Sequence, residues 1–226
     1  MTLLHRGSLA TTLDVVNEAM FLGRTRGKAE RLAAARWIAA RQGLPGSYCG
    51  MFAPTARDLA GPIRLFTGEA VRTDAATRHI LGEEACRALI LLEVREPEVE
   101  RALKRASAAM VERLYREGRR PIGTYCCGTC SVSLWRHLAV GGLDQAARRL
   151  ADGLRVLKVH RLGNSKWRRF PYYYTLLALS EIDSPAARAE MRYAAPGLER
   201  LLERAGSGDK FARRRRALAE RILAKC

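Results

Sequence analysis

The segment Cys126-Cys127-Gly128-Thr129-Cys130 gathers half of the chain's six cysteines into five residues. Cys127 and Cys130 form a C-x-x-C at what reads as a helix start, where unpaired amides and the helix dipole lower a thiol pKa. A thiol redox pair is one chemistry that this spacing permits. Metal binding is another, with His137 seven residues beyond Cys130 on the same helical face. Against both, no second C-x-x-C occurs, and redox motifs of this kind follow a strand in a βαβ setting for which the chain gives no signal. The expectation is therefore structural: at least two of Cys126, Cys127 and Cys130 buried between helices, no metal and no cofactor.

Aromatic residues offer a second kind of chemistry. Trp167, Phe170, Tyr172, Tyr173 and Tyr174 fall in one short stretch, and three consecutive tyrosines on a helix point in three directions, so they cannot all be core. Pro171 is suited to a first helical turn, which puts Tyr172 and Tyr173 beside orphan amides and close to Arg168 and Arg169. The expected ligand site is a cavity walled by Trp167, Tyr172 and Tyr173, with Arg168 and Arg169 for an anionic head and the turn residues Tyr48 and Tyr125 nearby. Packing of the same rings between helices is the competing account. Arg213-Arg214-Arg215-Arg216 covers every side of a helix, so one arginine must fall near the stripe of Phe211, Leu218 and Ile222. The run reads as a solvated face or as a phosphate patch. His5, His79, His137 and His160 show no ligand spacing, and Glu83, Glu84, Glu181 and Asp183 suit capping as well as acid–base work. No nucleophile, base and oxyanion donors assemble into a catalytic set.

These side chains need elements to hold them, and the elements read as helices. Leu9, Leu13, Val16 and Met20 keep helical spacing and Gly23 stops them. Further helices are predicted from about Gly27 to Gln42, from Thr55 through Leu59, Ile63 and Phe66, from Thr73-Asp74 through Leu92, and from Pro97 to Gly118. Others follow from Gly128 to Val140, along Leu143, Ala147, Leu150, Leu154 and Leu157, from Pro171, from Ser184-Pro185, and from Asp209. Pro196 is expected to kink or split the ninth. Alternating β-branched runs are absent, so no β-sheet is expected. The predicted fold is all-α, about ten helices in antiparallel pairs, as one domain over residues 1–226.

Composition bounds the rest. The 226 residues are 48% hydrophobic, ordinary for a globular chain, and no apolar run is long enough for a transmembrane segment. No secretory signal is evident at the start, which implies a cytoplasmic protein with reduced thiols. The net charge of +17 attracts anionic partners, with nucleic acid among them, although scattered surface arginine in helices explains it equally.

Helix pairs that stack should repeat in sequence. Gly46-Ser47-Tyr48-Cys49 recurs as Gly123-Thr124-Tyr125-Cys126, each after a polar, glycine-bearing turn, and more loosely as His160-Arg161-Leu162-Gly163-Asn164-Ser165-Lys166-Trp167. The stretch Arg36-Trp37-Ile38-Ala39-Ala40-Arg41-Gln42-Gly43-Leu44-Pro45-Gly46-Ser47-Tyr48 resembles the QW-type repeat of the squalene cyclase and protein prenyltransferase superfamily. In such repeats a glutamine bonds free backbone at helix ends and an aromatic stacks in the turn. Tyr48 and Tyr125 stand for the usual tryptophan, Glu117 and His160 for the glutamine, and Trp167 keeps the aromatic. The resemblance implies an α/α toroid, here toroid-like or an open arc. It does not carry over the catalysis, because neither the cyclases' Asp-x-Asp-Asp nor the prenyltransferases' zinc ligands can be placed.

These features point to a protein that binds a small, partly apolar anionic ligand in an aromatic-lined concave pocket. A nucleic-acid-binding helical repeat like the alkylation-repair HEAT-like glycosylases, and a protein-interaction scaffold, are the alternatives.

Overall fold

The computed structural model describes residues 2–24, 26–116, 123–203 and 208–226, and the helices among them follow local capping chemistry closely. They are α1 (Leu9–Phe21), α2 (Lys28–Ala39), α3 (Ala56–Leu59), α4 (Asp74–Leu92), α5 (Pro97–Arg116), α6 (Gly128–Ala139), α7 (Ala146–Val159), α8 (Tyr172–Glu181), α9 (Pro185–Glu203) and α10 (Lys210–Leu223). Among the described residues helix accounts for 65% and strand for 4%, so the class is all-α. Ser8, Thr55, Thr73 and Asp209 each accept a backbone N–H two or three residues into their helices, and Ser184 does the same for Ala187 at the start of α9.

Four expectations need correction. The third helix stops at Leu59 rather than reaching Phe66, because Gly61-Pro62 ends it. Ile63 instead enters a two-stranded antiparallel pair, β1 (Ile63–Arg64) with β2 (Ala70–Val71), so the chain is not free of sheet. A two-residue strand carries too few side chains for any alternation to be visible in the sequence. The seventh helix begins at Ala146, not Leu143, after a left-handed Gln145 (φ 50°). Pro196 does not split α9, which runs through it, since a proline removes one backbone bond and packing on α8 and α10 supplies the rest. The expected stop at Gly118 lies outside the described residues.

The chain forms two units, each assembled from separated segments. The first comprises Met1–Arg64, Ala70–Arg119 and Val140–Asp144. Its central element is α4, against which α1, α2, α3 and α5 pack. α4 is buried around its girth, so it shows no polar face: Ile80, Leu81, Ala85 and Leu89 are covered, and so are His79, Glu83, Glu84 and Arg87. Those polar groups have partners. Asn17 Nδ2 donates to Glu84 at 3.1 Å, Arg87 donates to Asn17 Oδ1 at 2.7 Å, and His79 lies 3.2 Å from Glu83. Asp58 anchors the start of α1, accepting from Ser8 Oγ (2.6 Å) and from the amides of Leu9 (2.9 Å) and Ala10 (3.1 Å).

The second unit comprises Leu65–Glu69, Arg120–Ala139 and Gln145–Cys226. In it α6 packs on α7 and α8, α9 on α7 and α8, and α10 on α8 and α9. Ion pairs with one buried and one half-buried partner tie these layers. Arg136 makes two 2.9 Å bonds to Glu181 and Arg161 grips Glu190 at 3.0 and 2.8 Å. The arginine that had to meet the last helix's apolar stripe is Arg214, buried over the Phe66 ring at 4.1 Å and bonded to Phe66 O.

Candidate functional site

Two cavities in the second unit collect most of the chemistry-bearing residues. The larger, about 560 Å³, is lined by Cys126 and Cys127 at the start of α6, by His160 at the end of α7, and by Arg169 and Phe170 before α8. The close packing beneath and beside it depends on two absent side chains. A Cβ on Gly128 would lie 2.0 Å from Arg169 O, and one on Gly123 would lie 2.0 Å from Gly153 N and 2.1 Å from Arg149 O. Trp135 supports the lining from outside, its indole N–H donating to Gly123 O at 2.6 Å and its ring stacked on Phe170 at 5.4 Å.

Cys127 occupies the cap position of α6. Its carbonyl accepts the Ser131 amide at 2.9 Å and its Sγ accepts the Cys130 amide at 3.4 Å, a thiol in the place where a hydroxyl or carboxylate usually caps. Ser131 Oγ fastens the preceding loop, accepting from Tyr125 N and donating to Cys127 O, both at 2.8 Å. Each of the three sulfurs of Cys126, Cys127 and Cys130 is within hydrogen-bonding reach of the other two. Hydrogen bonds from Cys126 and then Cys130, with the Cys130 and Thr129 amides, hold the Cys127 thiol well below the ordinary range against a smaller effect of burial. The same contacts to Cys126 and Cys127, with burial, push Cys130 far up. The expectation that at least two of the triplet are buried is overturned: Cys130 is buried, whereas Cys126 and Cys127 are exposed. The physical reason is the cap, since a residue there sits outside the helix and its side chain turns back over the first turn's open amides.

His160 adds a neutral ring to this cleft. Burial, followed by the charges of Arg168 and Arg169, lowers its pKa, and its ring lies 5.6 Å from Phe170. Arg169 itself stands in the left-handed region at φ 70°, a conformation that strains a residue with a side chain.

The second cavity, about 400 Å³, opens at the start of α8 between Tyr172 and Tyr173, the α7–α8 turn (Asn164, Lys166) and α9 (Gly197, Arg200, Leu201). The residues predicted from sequence as one site thus divide. Tyr172 and Tyr173 line this cavity, whereas Tyr125 and Arg169 line the thiol cleft. Trp167 lines neither, being buried with its indole N–H on Glu190 at 2.9 Å. Arg168 is exposed, its amide bonded to His160 O, and Tyr48 belongs to the first unit, 4.8 Å from the His79 ring. Sequence reading missed Lys166, Gly197 and Arg200, which carry no motif and meet the tyrosines only through the turn and α9. In the sequence, Gly128 inside the C-x-x-C was the one available sign of close approach at the thiols.

The turn repeat is also re-registered. Gln42 faces Phe52 in an isolated antiparallel bridge, flanked by Gly43 N to Met51 O (2.8 Å) and Ala53 N to Arg41 O (3.0 Å). Arg161 faces Trp167 in the same way, flanked by Leu162 N to Lys166 O (2.9 Å) and Arg168 N to His160 O (2.8 Å). Arg161, not His160, therefore stands where Gln42 does, and Trp167 matches Phe52 rather than Tyr48. Gln42 does bond free turn backbone, through Nε2 to Gly50 O at 2.8 Å. Glu117, the other proposed counterpart, lies outside the described residues. Comparison of the chain with family models, curated proteins and solved structures found no match.

Proposed function

We propose that the second unit is a thiol-reactive module whose cleft carries out dithiol–disulfide exchange, with Cys127 as nucleophile and Cys130 as resolving thiol. The observation that carries this reading is the exposed Cys127 sulfur capping α6 three residues before a buried Cys130. The Cys127 thiolate attacks one sulfur of a substrate disulfide, that S–S bond breaks, and the departing thiolate takes a proton from solvent. Cys130 then gives up its proton and attacks the Cys127 sulfur, forming the Cys127–Cys130 disulfide and releasing the second substrate half as a thiol. Two electrons pass from the protein to the substrate. His160, kept neutral, and Arg169 line the space that the substrate enters.

Oxidised glutathione is the probe. The expected outcome is a protein lighter by two hydrogens, with a Cys127–Cys130 link on peptide mapping. With Cys126 changed to alanine, Cys130→Ser should stall as a glutathione adduct on Cys127, and Cys127→Ser should form no adduct or disulfide within the 126–130 segment. Equal adduct formation on Cys127→Ser would reject the assignment.

A second reading, binding of a soft metal ion, is favoured by the third sulfur: exchange needs two thiols, and three converge. Cys126→Ala separates them, because exchange survives that change whereas a three-thiolate metal site does not. Stoichiometric zinc that is lost in Cys126→Ala, together with no disulfide formation, selects the metal.

A further inference from the structure

We propose that the second cavity, at the start of α8, binds a small molecule with a flat apolar body and a phosphate or carboxylate head. The wall residues are preorganised. Tyr172 and Tyr173 meet edge to face at 5.0 Å, and the Arg215 guanidinium lies 4.6 Å from the Tyr173 ring centre. Behind Tyr172, at 6.0 Å, stands Trp167, itself fixed by Glu190. Arg161 grips that carboxylate with two bonds, so the neighbouring Glu190 does not oppose an anion.

The charges at the cavity have one sign. Among the described residues its lining includes Lys166 from the α7–α8 turn and Arg200 from α9, and no carboxylate. Asn164 contributes an amide, and the Tyr172 hydroxyl stays protonated because burial raises its pKa to about 12. Gly197 keeps the wall where it is: a Cβ there would sit 2.7 Å from Tyr172 Oη and 3.2 Å from Ser165 Cβ. A volume of about 400 Å³ suits a compact ligand. Aromatic walls for the body and cations from two different elements for the head are the division of labour that an amphiphilic anion requires.

Isothermal titration of the full chain tests this with phenyl phosphate, benzoate, phenol and inorganic phosphate. Phenyl phosphate should bind at least about tenfold more tightly than either phenol or inorganic phosphate, because only it engages both halves of the site. Benzoate binding as tightly as phenyl phosphate assigns a carboxylate head; benzoate binding more weakly assigns a phosphate. Arg200→Gln, Lys166→Gln and Tyr172→Leu should each weaken binding about tenfold, while Cys127→Ser leaves it unchanged and so separates this site from the thiols. Both cation variants remove only the charge of an exposed side chain, and unchanged thermal melting confirms that they are folded. Phenyl phosphate binding no better than inorganic phosphate would overturn the proposal. So would full binding in Arg200→Gln and Lys166→Gln, or a duplex oligonucleotide that displaces phenyl phosphate and loses affinity with the same two substitutions, which would mark a nucleic-acid surface instead.

Discussion

The same motif, Gly-x-Tyr-Cys, stands once in each unit and is put to opposite uses. In Gly46-Ser47-Tyr48-Cys49 the chain closes a 3-10 turn (Tyr48–Gly50): Gly46 is left-handed at φ 86°, Cys49 at φ 48° and Gly50 at φ 72°. In Gly123-Thr124-Tyr125-Cys126 the chain instead enters the twelve-residue helix α6 through Cys127. Gly46 is needed for its backbone conformation, with only the flexible end of Arg78 nearby, whereas Gly123 is needed because backbone of α7 occupies the place of a Cβ. Tyr48 is half-buried and Tyr125 is buried. What separates them is the following residue pair: Gly50-Met51 leads back along Gln42, and Cys127-Gly128 starts a helix under the 169–170 backbone. A short repeat therefore fixes a turn's beginning but not where the chain goes next.

Substituting the two glycines should break this comparison most sharply. Gly123→Ala forces a methyl into the Arg149–Gly153 backbone and should cost about 3 kcal/mol or more by chemical denaturation. Gly46→Ala carries only left-handed strain and displacement of the Arg78 tip, about 1–2 kcal/mol. Equal losses would mean that the two glycines serve one purpose.

Arg161→Ala tests the re-registered turn. It leaves the Glu190 carboxylate, with a side chain 3% exposed, with Trp167 as its remaining hydrogen-bond donor and should cost about 3 kcal/mol. Gln42→Ala, which removes a partly buried bond to Gly50 O, should cost about 1 kcal/mol in the same assay. Similar small losses at both positions would show that the bridges are held by backbone alone.

The thiols give a comparison in rate. With its pKa lowered, Cys127 is a thiolate at pH values where an ordinary thiol is protonated, so its alkylation by iodoacetamide should already be near its plateau at about pH 7. Cys86 is shifted the other way, first by burial and then by Glu83, and should stay unmodified until the protein unfolds. Peptide mapping across a pH series checks the order, and alkylation of Cys86 ahead of Cys127 would reverse the assignment.

Local signals were sufficient for most of the fold. Thr55, Thr73, Ser184 and Asp209 cap where their side chains can reach an amide two or three residues on, an interaction contained within a few residues and so visible in the sequence. The C-x-x-C at a helix start and the arginine forced against an apolar stripe were legible for the same reason, because helical geometry fixes the direction of every residue in a turn. The short β pair was not, since two residues carry no period, nor was the burial of Glu83, Glu84 and Arg87, which looks like a polar face until α1, α2 and α5 surround α4.

The sequence by itself determined an all-α chain, most of its helix starts and the residue types able to do chemistry. Only the tertiary structure decided which of them meet. Tyr125 and Arg169 went to the thiols, Tyr172 and Tyr173 to Lys166 and Arg200, and Trp167 to a buried carboxylate. Those groupings rest on close approaches such as Gly128 to Arg169 O and Gly197 to Tyr172, set by packing between elements far apart in the chain. Spacing along a sequence records distance only within one element, and a cavity is made between several.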